Sequence, residues 1–580
     1  MPKRWRIHPH DGDRIARLQE SAGVTPVVAQ LLICRGIRDP KAAREFLEPK
    51  LSDLRDPGLL PGCCAAAEFL HQAISDGRQI TIYGDYDVDG MTGTTILLKC
   101  LRLLGADANY YVPSRIEEGY GMNHDAVRSL AERDTQVLVT VDCGIASVAE
   151  AETAEQVGID LIVTDHHQPA ERLPNARAIV HPDLPGRDYP FAGLSGAGVA
   201  LKLAWALCQQ ASGAKRVNPR MRNFLVSAVG LAAMGTVADV VPLVDENRVL
   251  VHHGLVSLKE KPGLGLEALM RVTELDSKPA LDSEDIGFVL GPRLNAAGRL
   301  GQAQLAIELL STDRADRAEE LAHYIHGLND SRQKLERSIY RAANKQVKEQ
   351  FNPEENAALV LADRDWHPGV IGIVAGRLAE KYHRPTILIA QDQLGIKPGT
   401  GSCRSVPGFD LHAALGQCSE YLCGHGGHAA AAGLTIDDQR IDEFRAAFCE
   451  VAEQEITEEL RVAELNIDAE APLSAFTLKV VNQIEQLGPF GQSNARPLLC
   501  TSGVSLAEPP RPIGSGGHHL AVKLTQHNVT LRAVAFGGGE WADDLAAATA
   551  PLDVAFRPVI NSFRGRRNVE LHLVDWRTNP

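Results

Sequence analysis

Short apolar runs alternate with segments of helical periodicity between about residues 78 and 165. The runs RQITIYGDYD, VLVTVDCG and IDLIVTDHH are typical of strands, whereas TGTTILLKCLRLLG and AEAETAEQVG are typical of helices. A strand, a helix and a strand in succession predict βαβ units and a parallel sheet. We therefore expect an α/β domain in this part of the chain.

The pattern changes twice further along the chain. From about residue 306 to 350, apolar residues recur at 3/4 spacing with charges between them and predict one long amphipathic helix. These apolar residues are Ala318, Leu321, Ile325, Leu328, Leu335, Ile339 and Ala342. A second α/β segment follows, with NAALVLAD and RPTILIA as its expected strands. The chain then continues in short alternating runs such as HHLAVKLTQ and NVELHLVDW, which are typical of a small β-barrel.

Carboxylates follow the first two apolar runs. Asp85, Asp87 and Asp89 stand on alternate residues after the first run, where an extended chain would place all three on one face. Asp142 follows the second run. The carboxyl ends of parallel strands meet at one edge of a sheet, so these carboxylates would repel one another unless a cation lay among them.

Residues at two further places in the sequence extend this set of carboxylates. Asp165, His166 and His167 follow the third run, and Asp239 follows the apolar run in GLAAMGTVADVVPL, which we take for another strand. Oxygen ligands with one imidazole suit Mn²⁺ or Mg²⁺ better than zinc. An Asp after a strand can also be a turn residue or a helix N-cap, but its recurrence at each strand end favours metal. The predicted metal ligands are Asp85, Asp87, Asp89, Asp142, His166 and Asp239, with Asp142 between two ions.

Composition limits the class of protein. The 580 residues exceed what one core supports and imply about two to four domains. A net charge of −15 argues against a uniformly basic surface, so any nucleic-acid path must be local. The 11 Cys lack paired CxxC spacing, the sequence has no signal-peptide pattern, and no uncharged apolar run approaches the ~18 residues of a membrane span. We expect a cytoplasmic protein with reduced thiols and no membrane partner.

The motifs GDYDVDG, VTVDCG, TDHH and GTVADVVP resemble, in this order, those of the DHH phosphoesterases. GPRLNAAGR, GHGGHAAAAG and GPFGQSN narrow the resemblance to the bacterial RecJ single-strand-specific exonucleases. It implies an α/β fold class: a parallel-sheet DHH domain and a smaller α/β DHH-associated domain joined by a long helix, plus a C-terminal OB-type β-barrel. The expected segments are an N-terminal extension 1–75, the DHH domain 76–304, the connecting helix 305–352, the DHH-associated domain 353–462 and the barrel 463–580.

The resemblance also implies an activity. It is the stepwise 5′-to-3′ hydrolysis of single-stranded DNA to mononucleotides with two Mn²⁺ or Mg²⁺ ions, in recombination and repair. The implied partners are single-stranded DNA with a free 5′ end, a single-strand-binding protein and a helicase, and we expect a monomer. Two alternatives remain open: a phosphoesterase of short oligonucleotides or cyclic dinucleotides, and a catalytically inactive DNA-binding scaffold.

Further site residues follow from the same resemblance. Those that match the family's 5′-phosphate contacts are Arg115, Arg293, Arg299, Ser402, Arg404, Gly426, Gly427 and His428. Arg forks match phosphate bidentately, although an interdomain ion pair would also explain each Arg. His167 is expected to contact phosphate or a metal ligand, or to be a core residue. Tyr83 departs from the His of many family members, and a phenol is a poor ligand, so one ion would depend on the aspartates alone.

Four residues of the barrel are the predicted DNA contacts. They are Phe556, Arg557, Phe563 and Arg564. In single-strand-binding barrels aromatic rings stack on bases while Arg holds the backbone. The alternative is that the aromatic rings form the barrel core and only the arginines face outwards.

Overall fold

The computed structural model describes residues 3–114, 118–119, 121–352, 356–457, 460, 462–563 and 565–578. Two compact units divide the chain. The larger unit comprises Leu54–Val241 and Asp245–Ala463, and the smaller unit comprises Lys3–Asp53, Pro242–Val244 and Glu464–Pro580. The first 75 residues, expected as one extension, are therefore divided between the two units.

Helices and strands are numbered here in chain order. The α-helices are α1 Gly12–Ala22, α2 Pro26–Cys34, α3 Pro40–Leu47, α4 Cys63–Ser75, α5 Val88–Leu103, α6 His124–Glu132, α7 Val148–Gln156, α8 Gly196–Ser212, α9 Pro219–Ala238, α10 Asp245–Glu260, α11 Leu264–Val272, α12 Gly291–Arg299, α13 Ala303–Ser311, α14 Ala315–Gln350, α15 Pro368–Tyr382, α16 Leu411–Gln417, α17 Ile441–Glu455, α18 Leu478–Glu485 and α19 Ala542–Ala547. The strands are β1 Arg4–Ile7, β2 Ile80–Gly84, β3 Ala108–Tyr111, β4 Val137–Val141, β5 Asp160–Thr164, β6 Ala178–Val180, β7 Leu359–Asp363, β8 Thr386–Ala390, β9 Gly399–Arg404, β10 Gly424–Gly427, β11 Ala431–Ile436, β12 Glu464–Ile467, β13 Ala469–Glu470, β14 Leu499–Leu506, β15 Arg511–Ile513, β16 His519–Gln526, β17 Val529–Ala535, β18 Leu552–Phe563 and β19 Arg566–Thr578.

The larger unit contains a parallel five-stranded sheet in the order β3-β2-β4-β5-β6. Strands β2 and β4 are buried along their whole length, because helices cover a parallel sheet on both faces. Helices α5, α6 and α7 connect the successive strands from β2 to β5. The predicted α/β fold is confirmed here, and the carboxyl ends of β2, β4 and β5 meet at one edge.

The apolar run before Asp239 is a helix, and its interpretation as a strand is wrong. The run lies in α9, and Asp239 is the C-terminal cap of that helix. Small residues allow close helix packing: a Cβ on Gly235 would lie 2.2 Å from Asp89 Oδ1. Helix α9 is long and apolar enough to cross a membrane, but 56% of the apolar window is buried inside the fold, as in a core helix.

The long helix α14 runs for 36 residues, and α13 precedes it as a separate helix. It packs against α11, α12 and α13 and also against α15 and β7. Its buried face includes the polar residues Asn329 and Arg332. Leu335, which the periodicity placed on this face, is 37% exposed and lies at the edge of the face.

A second five-stranded sheet of the larger unit has the order β10-β11-β9-β8-β7. Strands β7 and β8 are parallel, and the other pairs are antiparallel. The glycine-rich sequence GHGG forms the edge strand β10. Three of its four residues are glycines, so no side chain keeps a ligand away from the backbone at these positions.

Seven strands form one sheet in the smaller unit, in the order β13-β14-β18-β19-β17-β16-β15. Strand β14 also pairs with β16, which closes the sheet into a barrel. The N-terminal strand β1 pairs in parallel with β12. Leu31 and Leu32 of α2 are fully buried in the same core cluster as Phe476 and Phe556.

Phe556 does not face DNA. Its side chain is 0% exposed and packs edge-to-face on Phe476, with ring centroids 5.1 Å apart. The predicted base-stacking role of Phe556 is therefore wrong, because the alternation of β18 points Phe556 into the barrel and Arg557 outwards. The side chain of Phe563 and the whole of Arg564 lie outside the described residues.

We expect Phe556→Ala to lower the free energy of unfolding of the smaller unit by about 3–5 kcal/mol, because it leaves a cavity in the core. Arg557→Ala is the matched control at the exposed neighbouring position and should change this quantity by less than about 0.5 kcal/mol. Hydrogen exchange read by mass spectrometry reports the two units separately. Similar losses of protection in both variants would contradict the core position of Phe556.

Candidate active site

The three aspartates after β2 do not share a strand face. Strand β2 ends at Gly84, and Asp87 caps the N-terminus of α5 by accepting the Gly90 N–H at 3.1 Å. Asp89 lies in the first turn of the helix. The extended-chain argument for these residues is therefore wrong, because a turn and a helix start between them.

The predicted ligands nevertheless converge. They form three groups whose ligand atoms lie within 4.8 Å of one another: Asp85, Asp87 and Asp142; Asp89, His166 and Asp239; and Asp142, His166 and His167. Around His166 Nε2 the carboxylate oxygens are Asp142 Oδ1 at 3.0 Å, Asp239 Oδ2 at 3.5 Å and Asp89 Oδ2 at 3.8 Å. Asp142 belongs to two of the groups and lies between the aspartates that follow β2 and the histidines that follow β5.

The N-terminus of α8 holds two of these aspartates in place. The N–H groups of Gly196 and Ala197 donate to Asp89 at 2.6 and 2.9 Å, where the positive end of the helix dipole also favours a carboxylate. A Cβ on Gly196 would lie 2.6 Å from Asp142 Cβ, so this approach needs glycine. The sequence reasoning missed this helix, whose signal is the Ser-Gly-Ala-Gly start of an apolar helical run.

The electrostatics of the cluster fit a divalent cation. Burial, and then Asp87, raise the pKa of Asp89 to about 7, and burial, and then Asp89, raise the pKa of Asp239 to about 9. Burial and the neighbouring aspartates raise the pKa of Asp142 as well. Burial lowers the pKa of His166 to about 3, so its imidazole is neutral and keeps a lone pair. Carboxylates that repel one another around a neutral imidazole are a donor set that suits Mn²⁺ or Mg²⁺.

A charged pair supports the cluster. Asp165 accepts the backbone N–H groups of Ile145, His166 and His167 and lies 2.8 Å from His167 Nδ1. Burial alone would raise the pKa of Asp165, but the hydrogen bonds and charge of His167 lower it to about 2. Burial would likewise lower the pKa of His167, which Asp165 raises to about 9. His167 is thus a cation at neutral pH and suits a phosphate better than a metal. Asp165, which the sequence placed after the third run without a role, is a positioning residue.

A cavity of about 680 Å³ opens beside the loop that carries the first aspartates. Its lining includes Tyr86, which stands between Asp85 and Asp87, together with Ser402 and Arg404 of β9. The lining also includes the backbone of glycines, where no side chain covers the N–H groups: Gly401, Gly424, Gly426, Gly427 and Gly433. A guanidinium, a hydroxyl and accessible backbone N–H groups are what a phosphate pocket needs.

Other predicted phosphate contacts take different positions. Arg293 donates to His326 of α14 at 3.1 Å, and Arg299 donates to the Gly369 carbonyl at the start of α15, also at 3.1 Å. His428 is exposed and is not among the described residues that line the cavity. Arg115 lies outside the described residues.

Comparisons with known proteins identify the family. Profiles described as "DHH family, N-terminal domain", "DHHA1 domain" and "RecJ OB domain" match residues 79–235, 355–454 and 467–575. The single-stranded-DNA-specific exonuclease RecJ of Bacillus subtilis is 38% identical over 99% of this chain and 70% of its own length. RecJ of Dickeya dadantii is 35% identical over 94% of this chain and 95% of its own length. This chain belongs to the RecJ family.

Solved RecJ structures share the whole fold. Thermus thermophilus RecJ in complex with Mn²⁺ matches with a TM-score of 0.83 and 32% identity, over 100% of this chain and 80% of that one. The Mg²⁺ complex of the same protein matches with a TM-score of 0.76 and 31% identity, over 100% of this chain and 79% of that one. The predicted family and fold class are confirmed.

Tyr83, which departs from the RecJ pattern, is a core residue. Its hydroxyl donates to the Gly121 carbonyl at 3.0 Å, and its ring packs in an apolar cluster with Met122 and Val127. The phenol is thus engaged in packing. The candidate ligands in this RecJ chain are the aspartates and His166.

The RecJ motif GPRLNAAGR forms α12 and supports the segment 85–88, which carries two of the candidate metal ligands. Asn295 Oδ1 accepts the Val88 N–H at 3.1 Å, and a Cβ on Gly298 would lie 2.1 Å from the Tyr86 carbonyl oxygen. The sequence reasoning used the arginines of this motif and missed Asn295. No local signal could have found this contact, since it joins residues 207 positions apart.

We expect Asp142→Asn to raise the unfolding temperature of the metal-free protein by about 2–4 °C, because it removes one buried like charge. Asn also tolerates the left-handed backbone of Asp142, where φ is 64°. Mn²⁺ at about 100 times its dissociation constant should stabilise the wild type by about 2.7 kcal/mol. The variant should lose most of this gain, and calorimetric scans with Mn²⁺ or with EDTA measure both effects. A full Mn²⁺ gain in the variant would show that Asp142 is not a ligand.

Proposed function

We propose that this chain is a metal-dependent exonuclease that hydrolyses single-stranded DNA from its 5′ end and releases mononucleotides. The relatives it resembles are named single-stranded-DNA-specific exonucleases. One observation carries the mechanism: Asp85 and Asp87 belong to the acidic cluster, while Tyr86 between them lines the phosphate-suited cavity. A terminal phosphate in the cavity therefore lies next to the candidate metal centre.

The acidic cluster would hold two divalent ions, Mn²⁺ or Mg²⁺. Asp85, Asp87 and Asp142 would bind one ion, and Asp89, His166 and Asp239 would bind the other, with Asp142 between them. When bound, the two ions would polarise the scissile phosphodiester and acidify the attacking water.

Other residues of the chain position the strand. Arg404 and Ser402 would bind the terminal phosphate together with backbone N–H groups of β10, so that cleavage is counted from the 5′ end. The His167 cation, held by Asp165, would donate to a phosphate oxygen near Asp142. Arg293 and Arg299 remain proposed phosphate contacts, and in this structure both support helices around the site.

The smaller unit would also bind the single-stranded substrate. It contains the OB domain, and Arg557 is exposed on β18. Its presence favours a long single strand over a dinucleotide or cyclic dinucleotide as substrate. We further propose that the protein acts as a monomer in the cytoplasm, in recombination and repair, with a helicase and a single-strand-binding protein as partners.

The decisive experiment is a time course on single-stranded DNA labelled at either end, with Mn²⁺ or EDTA, against the matching duplex. Mononucleotides should appear first from the 5′ label, from the single strand and with metal. Asp142→Ala should lower the rate by roughly a hundredfold or more, since it removes the ligand between the ions. A preference for dinucleotides would favour the small-substrate phosphoesterase, and complete inactivity with Mn²⁺ would favour the scaffold.

We expect Arg404→Ala to lower the preference for 5′-phosphorylated over 5′-hydroxyl DNA by roughly tenfold to a hundredfold, because a charge-assisted contact to phosphate is lost. Arg377→Ala removes a half-exposed arginine of the same domain and is the matched control. Arg293→Ala, assayed in parallel, tests whether that residue also reads the phosphate. Equal losses on both DNA substrates in Arg404→Ala would assign Arg404 a structural role.

A further inference from the structure

An aromatic side chain is exposed on a rare backbone element next to the candidate metal centre. Residues Asp285–Leu290 form a π-helix that continues directly into α12. Phe288 in this element is 78% exposed. Single π-helical turns are frequent at functional sites, and a phenylalanine with this exposure contributes little buried area to the fold.

The π-helix packs against the end of α9 that carries Asp239. A Cβ on Gly287 would lie 3.8 Å from Val237 Cγ1, and a Cβ on Gly291 would lie 3.8 Å from Ala238 Cβ. These two contacts flank Phe288 and involve the two residues that precede Asp239. Phe288 therefore lies on an element that borders the turn of α9 directly before Asp239.

The residue after Asp239 adds to this apolar border. Val240 is 63% exposed and has φ 60°, a left-handed conformation that is strained for a β-branched side chain. Strain of this kind persists where the surrounding structure imposes it, and it is concentrated at functional sites. A strained, exposed valine thus follows the candidate ligand directly, and the element that carries the exposed phenylalanine packs against the residues before that ligand.

A cation lies close to this border as well. Val289, the neighbour of Phe288, accepts a hydrogen bond from Arg293 Nη1 at 2.8 Å. Nucleotides offer alternating phosphates and flat apolar rings, which match an arginine and an exposed aromatic ring on one continuous helical segment. The chemistry of this surface fits an unpaired nucleotide better than it fits a protein segment.

We propose that Phe288, with Val240, forms the surface on which an unpaired base of the substrate strand stacks while its phosphodiester lies at the metal centre. This inference rests on the proposed function. Stacking on Phe288 requires a base whose face is free, and a base inside a duplex is already stacked on both faces. Phe288 therefore contributes to the selection of single strands at the point of cleavage.

The test uses the full-length protein with Mn²⁺ and a set of single-stranded 12-mers that each carry one abasic site at a successive position from the 5′ end. For the wild type, kcat/KM should fall about tenfold when the abasic site occupies the stacked position. Phe288→Ala should show this loss on the intact 12-mer and should no longer respond to the abasic site at that position. Phe288→Trp should retain the wild-type pattern.

Leu394→Ala is the matched control, since Leu394 is 80% exposed on the other domain of the larger unit. It should leave every kcat/KM unchanged. A uniform loss of Phe288→Ala on all 12-mers, or wild-type rates on all of them, would overturn the stacking role. If the wild type cuts none of the strands, the proposed function fails instead, so the two failures are distinguishable.

Discussion

Buried like charges are the constraint on which the larger unit depends. Asp89 and Asp142 are almost fully buried, and burial together with mutual repulsion raises their pKa values. The fold opposes this repulsion with the N-terminus of α8 at Asp89. These contacts compensate for only part of the charge, because the pKa values of both carboxylates remain raised. A divalent cation bound by this set of ligands would supply further compensation.

The same constraint explains why so much of the chain packs around one short loop. Asp85 and Asp87 need a fixed backbone, and α12 supplies it through Asn295 and the close approach of Gly298 to Tyr86. Because α12 also contacts α14 and the start of α15, the loop, the long helix and the cavity are parts of one packed assembly. A displacement of any of these elements would change the spacing between phosphate pocket and metal cluster. In the proposed function, this spacing would set the length of the released product.

The hydrophobic pattern of the sequence predicted the strands of the first sheet and the positions where they end. The ends of β2, β4 and β5, and the aspartates that follow them, could be predicted from alternating apolar runs. Asp239 was assigned correctly to the cluster but to the wrong element, because a run of small apolar residues fits a buried helix and a buried strand equally well. The supporting contacts of Asp165 and Asn295 could not be predicted, since they depend on tertiary packing between distant segments.

The burial of aromatic residues could not be predicted from the local sequence either. Phe556 and Phe288 both stand among apolar neighbours in the sequence, yet the first is buried in the barrel and the second is exposed on a π-helix that no simple periodicity reveals. The distinction matters because the chain carries a net charge of −15, and long-range attraction to DNA is therefore weak. The proposed recognition therefore depends on short-range contacts: metal ions and an arginine at the phosphates, and exposed apolar surface at the bases. In the proposed stacking role, Phe288 supplies this apolar surface from the π-helix that packs against the end of α9.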